Sequence, residues 1–108
     1  MQVFLSRPDI TDAEINAVTD VLKSPNLALG PKLTEFEQKM ADYAGSKHAI
    51  AVNSGTSGLF LCFNALNIGP GDEVITSPFT FIASVNSIIM AGAKPVFVDV
   101  EPDTLNID

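Results

Sequence analysis

Two turns constrain the fold of this chain more than any other feature: Gly69-Pro70-Gly71-Asp72 and Gly92-Ala93-Lys94-Pro95. Each combines glycine with proline, the residues that punctuate regular structure, and reads as a helix-to-strand turn. Each also launches a short apolar run, Glu73 to Thr76 in the first case and Pro95 to Val100 in the second. The stretches ahead of the turns, Ser57 to Leu66 and Thr80 to Ala91, read as helices, and Ala49 to Val52 reads as a further strand. Apolar strands alternating with helices require right-handed crossovers and hence a parallel sheet. The expected class is α/β. In such a sheet ligands collect beyond the carboxyl ends of the strands, which puts Asn53 to Gly58 and Ser77 to Phe81 on one side.

The first half is helical. Thr11 can cap a helix, with Glu14 completing a capping box and Ile10 stapling against Ile15. Ile15, Val18 and Leu22 form an apolar stripe, and Ser24-Pro25-Asn26 stops it. A second helix starts near Gly30-Pro31, buries Leu33, Phe36, Met40 and Tyr43, and ends at Gly45. The chain thus divides into a helical segment, residues 1–45, and a βαβαβ segment, residues 46–108.

An apolar fraction of 46% in 108 residues suits one ordinary globular domain. The net charge of −7 and six scattered basic residues give no stripe to neutralise a nucleic-acid backbone or an anionic membrane. No signal peptide and no bilayer-length apolar run is evident, so a cytoplasmic protein is the expectation. Cys62 is the single cysteine, and within Leu59-Phe-Leu-Cys-Phe63 it reads as a buried packing thiol. Asp99, Glu101, Asp103 and Asp108 lack a calcium-loop spacing, and Glu101-Pro102-Asp103-Thr104 reads more simply as a turn, so no metal ligands are assigned.

The chemistry concentrates at Asn53-Ser54-Gly55-Thr56-Ser57-Gly58, a strand-to-helix junction. Its first helical amides lack intrahelical acceptors and lie at the positive end of the helix dipole, which suits a phosphate. Glycines admit close approach and the hydroxyls add donors. Ser77-Pro78-Phe79-Thr80-Phe81 adds aromatic rings, one of which could stack on a flat heteroaromatic ligand, while Phe79 reads as packing.

Gly55-Thr-Ser57, Pro70-Gly-Asp-Glu-Val-Ile75, Thr80-Phe81, Asn86 and Gly92-Ala-Lys-Pro-Val-Phe-Val-Asp99 occur in order, flanked by Glu35-Phe-Glu37 and Asp103-Thr-Leu-Asn-Ile-Asp108. Together they resemble the DegT/DnrJ/StrS-type sugar aminotransferases, which use pyridoxal 5'-phosphate (PLP) in the aspartate-aminotransferase fold, fold type I. The resemblance covers nearly the whole chain and implies the N-terminal part of that fold's large PLP-binding domain. It implies transfer of an amino group, usually from glutamate, to a keto group of a nucleotide-linked sugar for polysaccharide or glycoconjugate biosynthesis. The amides of Thr56 and Ser57 would hold the PLP phosphate, Gly55 would permit close approach, and Phe81 would stack on the pyridine ring. Asn86 is taken as structural, and the loop Asn26 to Gly30 resembles a segment near the substrate cavity.

The resemblance also implies a Schiff-base lysine, an aspartate facing the pyridine nitrogen and a small C-terminal domain, all beyond residue 108. Lys23, Lys32, Lys39, Lys47 and Lys94 read as surface residues, so no catalytic residue is assigned here and no transaminase activity is expected of these residues alone. In the family the first strand lies apart from the next two, which would leave Ala49 to Val52 without neighbours and the chain marginal or self-associating. Family members are usually homodimers. Two alternatives stay open: a sugar dehydratase of the same family, in which histidine replaces the lysine, and a truncated, non-catalytic phosphate-binding paralogue. His48 precedes the first strand and does not match that histidine.

Overall fold

A computed structural model describes Val3 and residues 5–108. The element order is α1 (Asp12–Leu22), α2 (Pro31–Ala44), α3 (Gly55–Ala65), β1 (Glu73–Thr76), α4 (Ala83–Met90) and β2 (Lys94–Phe97). The elements fall into two compact units, the first running through Ala51 and the second Val52–Asp108.

In the first unit local signals set the helix ends. Thr11 Oγ1 accepts the Ala13 amide at 3.2 Å while Glu14 Oε2 accepts the Thr11 amide at 2.7 Å, which satisfies donors at the start of α1. Hydrogen bonds from the Thr11 hydroxyl and amide hold the Glu14 carboxyl below its usual range. Pro31 occupies the first turn of α2, and Gly45 closes it in the left-handed region at φ 64°. The Ser46 amide then reaches back to the Ala41 carbonyl at 2.9 Å. The expected buried stripes do not follow. Ile10, Ile15, Val18, Leu22, Phe36, Met40 and Tyr43 are exposed, Leu33 is half-buried, and the buried residue of α2 is Ala41, 3% exposed. A helical stripe is buried only where another element covers it, and α1 and α2 do not pack along each other.

In the second unit β1 and β2 pair in parallel, in register from Glu73↔Lys94 to Thr76↔Phe97. Lys94 Nζ meets Glu73 Oε1 at 2.6 Å across the first rung. α4 packs on both strands and on α3. Ala83, Ser87, Ile88 and Ala93 are buried here, and the Ser87 hydroxyl donates to the Ala83 carbonyl at 2.7 Å, so its burial leaves no donor unpaired. The two helix-to-strand turns sit side by side: a Cβ on Gly92, at φ 84°, would stand 3.2 Å from Pro70 Cγ and Cδ.

The α/β class is as expected, with four departures. Ala49 to Val52 is not a strand, because a ladder needs a neighbour and β1 and β2 bond only to each other among the described residues. β2 ends at Phe97 rather than Val100, since β1 offers four residues to pair; Val100 instead forms an antiparallel bridge with Ile107 around the Glu101–Thr104 turn. The helix expected from Thr80 begins at Ala83, because Ser77 to Thr80 is held as a turn. Cys62 is exposed, not buried, because α3 is covered by α4 along one side while its other faces stay open.

Candidate functional site

The first turn of α3 is built by its own side chains. Ser54, extended at φ −163° and ψ 159°, is the N-cap, and its Oγ accepts the Ser57 amide at 3.1 Å. Ser57 Oγ donates to Asn53 Oδ1 at 2.6 Å, so both Ser57 donors serve the turn itself. The first backbone bond of the helix runs from the Gly58 amide to the Ser54 carbonyl at 3.1 Å. The Gly55 and Thr56 amides and the Thr56 hydroxyl therefore have no acceptor among the described residues. A Cβ added at Gly55 would meet nothing within 4 Å. Two free amides, a free hydroxyl, an open approach and the positive end of an 11-residue helix fit a dianionic phosphate.

The second part of the site follows β1. Ser77 is 8% exposed, and its Oγ accepts the Phe79 amide at 3.0 Å, folding the chain into a tight turn. Phe81 comes next, with its carbonyl accepting the Ser84 amide at 3.1 Å and its ring 75% exposed. Phe79 is 73% exposed, which corrects the packing role expected of it: the turn points it away from the small residues that make the core.

The structure thus gathers Gly55, Thr56 and Ser57 on one helical turn. It places Phe81 on the segment leading into α4, the helix packed against α3. Asn86 is exposed, and its amide continues α4 by donating to the Ile82 carbonyl. All five lysines are exposed, with Lys32 and Lys39 paired to Glu35 and Lys94 to Glu73. The loop Asn26 to Gly30 lines a cavity of about 390 Å³ with Val21, Pro31 and Leu33 in the first unit. No three His, Cys, Asp or Glu side chains converge among the described residues, and none of the described helices is long and apolar enough to cross a membrane. Sequence reasoning passed over the Ser77–Phe79 bond, although a serine two residues before a turn amide is a recognisable signal for it.

Residues 8–108 match the model of the DegT/DnrJ/EryC1/StrS aminotransferase family. The chain belongs to that family. It is 54% identical over 103 residues to the spore coat polysaccharide biosynthesis protein SpsC of Bacillus subtilis, a match covering 95% of this chain and 26% of SpsC. It is 47% identical over 104 residues to the UDP-4-amino-4-deoxy-L-arabinose–oxoglutarate aminotransferase of Shewanella sediminis, covering 96% of this chain and 27% of that enzyme. A candidate sugar aminotransferase of Streptococcus pneumoniae, Spr1654, solved in its PLP form, superposes with a TM-score of 0.95 at 41% identity. That alignment covers 100% of this DegT-family chain and 28% of Spr1654. The chain therefore spans about a quarter of the length of its relatives, and its α/β elements are those of a fold type I PLP enzyme.

Proposed function

We propose that this chain supplies the phosphate- and ring-binding part of a PLP-dependent aminotransferase. The reading rests above all on the first turn of α3, whose Gly55 and Thr56 amides have no acceptor among the described residues and whose Gly55 faces open space. The PLP phosphate would take those two amides directly and the Ser57 amide in exchange for Ser54 Oγ, with the Thr56 hydroxyl as a further donor. Phe81, fixed by its backbone and exposed at its ring, would stack on the pyridine. Bound PLP supplies the electron sink for moving an amino group between carbon skeletons. The residues of this chain hold, orient and partly cover that group.

The substrate we propose is a nucleotide-linked keto-sugar destined for polysaccharide or another glycoconjugate, in the cytoplasm. The Bacillus and Shewanella relatives support this by their polysaccharide and UDP-amino-sugar roles. Oxoglutarate in the name of the Shewanella enzyme supports glutamate, its amino counterpart, as donor. We assign the covalent lysine to none of Lys23, Lys32, Lys39, Lys47 and Lys94, a reading supported by their all facing solvent.

The test is a titration of the 108-residue chain with PLP, followed by absorbance and by mass after borohydride. Saturable binding without a trapped adduct, lost in Thr56→Pro and in Phe81→Ala, is the expected result. Absence of saturable binding defeats the half-site reading. A specific trapped adduct on one lysine defeats the reading that the covalent lysine is none of these five.

A further inference from the structure

Phe81 is 75% exposed, like Phe79 at 73%. An aromatic side chain left three-quarters in water gives up the stabilisation that burial would bring, and it contributes to binding only if it is already oriented. The backbone on both sides of Phe81 is clamped. Ahead of it, the Val98 amide bonds the Thr76 carbonyl at 3.1 Å and ends the ladder, and Ser77 then turns inward to 8% exposure. The Ser77 hydroxyl accepts the Phe79 amide at 3.0 Å and so bends the chain out of the strand direction. Behind Phe81, its own carbonyl accepts the Ser84 amide, and Thr80 Oγ1 lies 3.3 Å from Ser84 Oγ. Of these contacts, the Ser77 bond alone joins a buried side chain to the amide of an exposed residue.

We infer that Ser77 is a positioning residue for the cofactor ring: its hydroxyl, acting through the Phe79 amide, sets the turn that holds Phe81 ready to stack. The inference rests on the proposed PLP site and adds to it a residue that touches no ligand. Ser77 acts on the ring and not on the phosphate, because the phosphate turn at Ser54–Ser57 is closed by its own bonds and receives none from Ser77. Losing the hydroxyl should therefore weaken PLP while leaving inorganic phosphate bound as before.

The experiment compares wild type, Ser77→Ala and Ser77→Thr as the full 108-residue chain, titrating each with PLP and with inorganic phosphate. Amide exchange at Phe79 and Ile88 is followed in parallel. In Ser77→Ala the preference for PLP over inorganic phosphate should fall about fivefold, the value of one hydrogen bond. The induced circular dichroism of the PLP band should shrink with it. Phe79 exchange should quicken while Ile88, at the core, stays protected, and Ser77→Thr, which keeps the acceptor, should restore all three signals. If Ser77→Ala loses Ile88 protection, Ser77→Cys replaces it, keeping the shape with a poorer acceptor. An unchanged preference beside faster Phe79 exchange overturns the inference and leaves the cofactor reading intact. A wild-type chain that binds PLP no better than inorganic phosphate overturns the stacking role of Phe81, and the inference with it. Unprotected Phe79 in wild type overturns the inference whatever the binding data.

Discussion

Glu37 Oε1 accepts the backbone amide of Ala51 at 2.9 Å, joining the middle of α2 to the chain just ahead of the phosphate turn. With no ladder partner for Ala49 to Val52 among the described residues, this carboxylate gives the Ala51 amide an acceptor of the kind a neighbouring strand provides. It also gives a physical role to the glutamate at the end of Glu35-Phe-Glu37.

Replacing Glu37 with alanine should therefore cost about 1–2 kcal/mol, since a half-buried amide loses a charged acceptor. Glu37→Gln retains an acceptor oxygen and should cost less than half as much. Urea denaturation gives the two values, and amide exchange at Ala51 shows whether the loss is local.

A second prediction concerns Gly30, the N-cap of α2. A Cβ there would stand 2.7 Å from the Asn26 carbonyl oxygen, a backbone atom that cannot swing aside. Gly30→Ala should destabilise the chain by about 1–3 kcal/mol, as other forced overpacking does. Gly45→Ala meets no atom within 4 Å and should cost only the left-handed strain, about 1 kcal/mol. Equal penalties in thermal melts would contradict this ordering.

At Gly55 stability and binding should move in opposite directions. Gly55→Ala finds open space at the start of α3, so it should leave stability unchanged or raise it by up to about 1 kcal/mol. The added methyl stands where a phosphate must approach the amides, so PLP affinity should fall at least about tenfold, the equivalent of one misplaced charged hydrogen bond. Calorimetric binding and a melt on the same sample separate the two effects.

The helix ends were legible in the sequence because their signals are local. Thr11 and Glu14 lie three residues apart, Pro31 carries its own φ, and Gly45 supplies the left-handed cap that its neighbours cannot. β1 was legible for a similar reason, being bracketed by Asp72 and Ser77. What failed depended on distant residues. Ala49 to Val52 has strand composition but no strand beside it, and the stripes on α1 and α2 have helical spacing but no cover. Cys62 and Phe79 were misread on the same ground, since an apolar neighbourhood in sequence is not one in space. At the candidate site the sequence pointed to Gly55, Thr56 and Ser57 as a set. It did not reveal that the Ser57 amide is already taken by Ser54 Oγ.

Glu35 provides a prediction in pH. It sits between Lys32 at 2.6 Å and Lys39 at 2.8 Å, and hydrogen bonds from the two ammonium groups hold its carboxyl down to about 2. A depressed carboxylate stabilises the fold above its unfolded value of 4.5, and that contribution is lost as pH falls from there through about 2. The same pair holds the Lys39 ammonium above its usual value. Lys94 is likewise raised by Glu73, a contribution complete below 10.5 and lost as pH rises past its folded value. These groups are exposed, so the effects should shrink in 1 M salt. Carboxyl NMR titration should place the Glu35 midpoint at about 2 in dilute buffer, and higher after Lys32→Met.

The closeness of Gly92 to Pro70 makes the two helix-to-strand turns a single packed edge. Bulk at position 70 is tolerated because position 92 has none, and at φ 84° a side chain at 92 would be strained whatever stood at 70, so two separate constraints hold glycine there. That packed edge sits at the amino ends of β1 and β2, while the Ser77–Phe81 turn leaves the opposite end of β1. The edge that feeds both strands and the turn that would meet the ligand are therefore built at opposite ends of β1, by separate sets of residues.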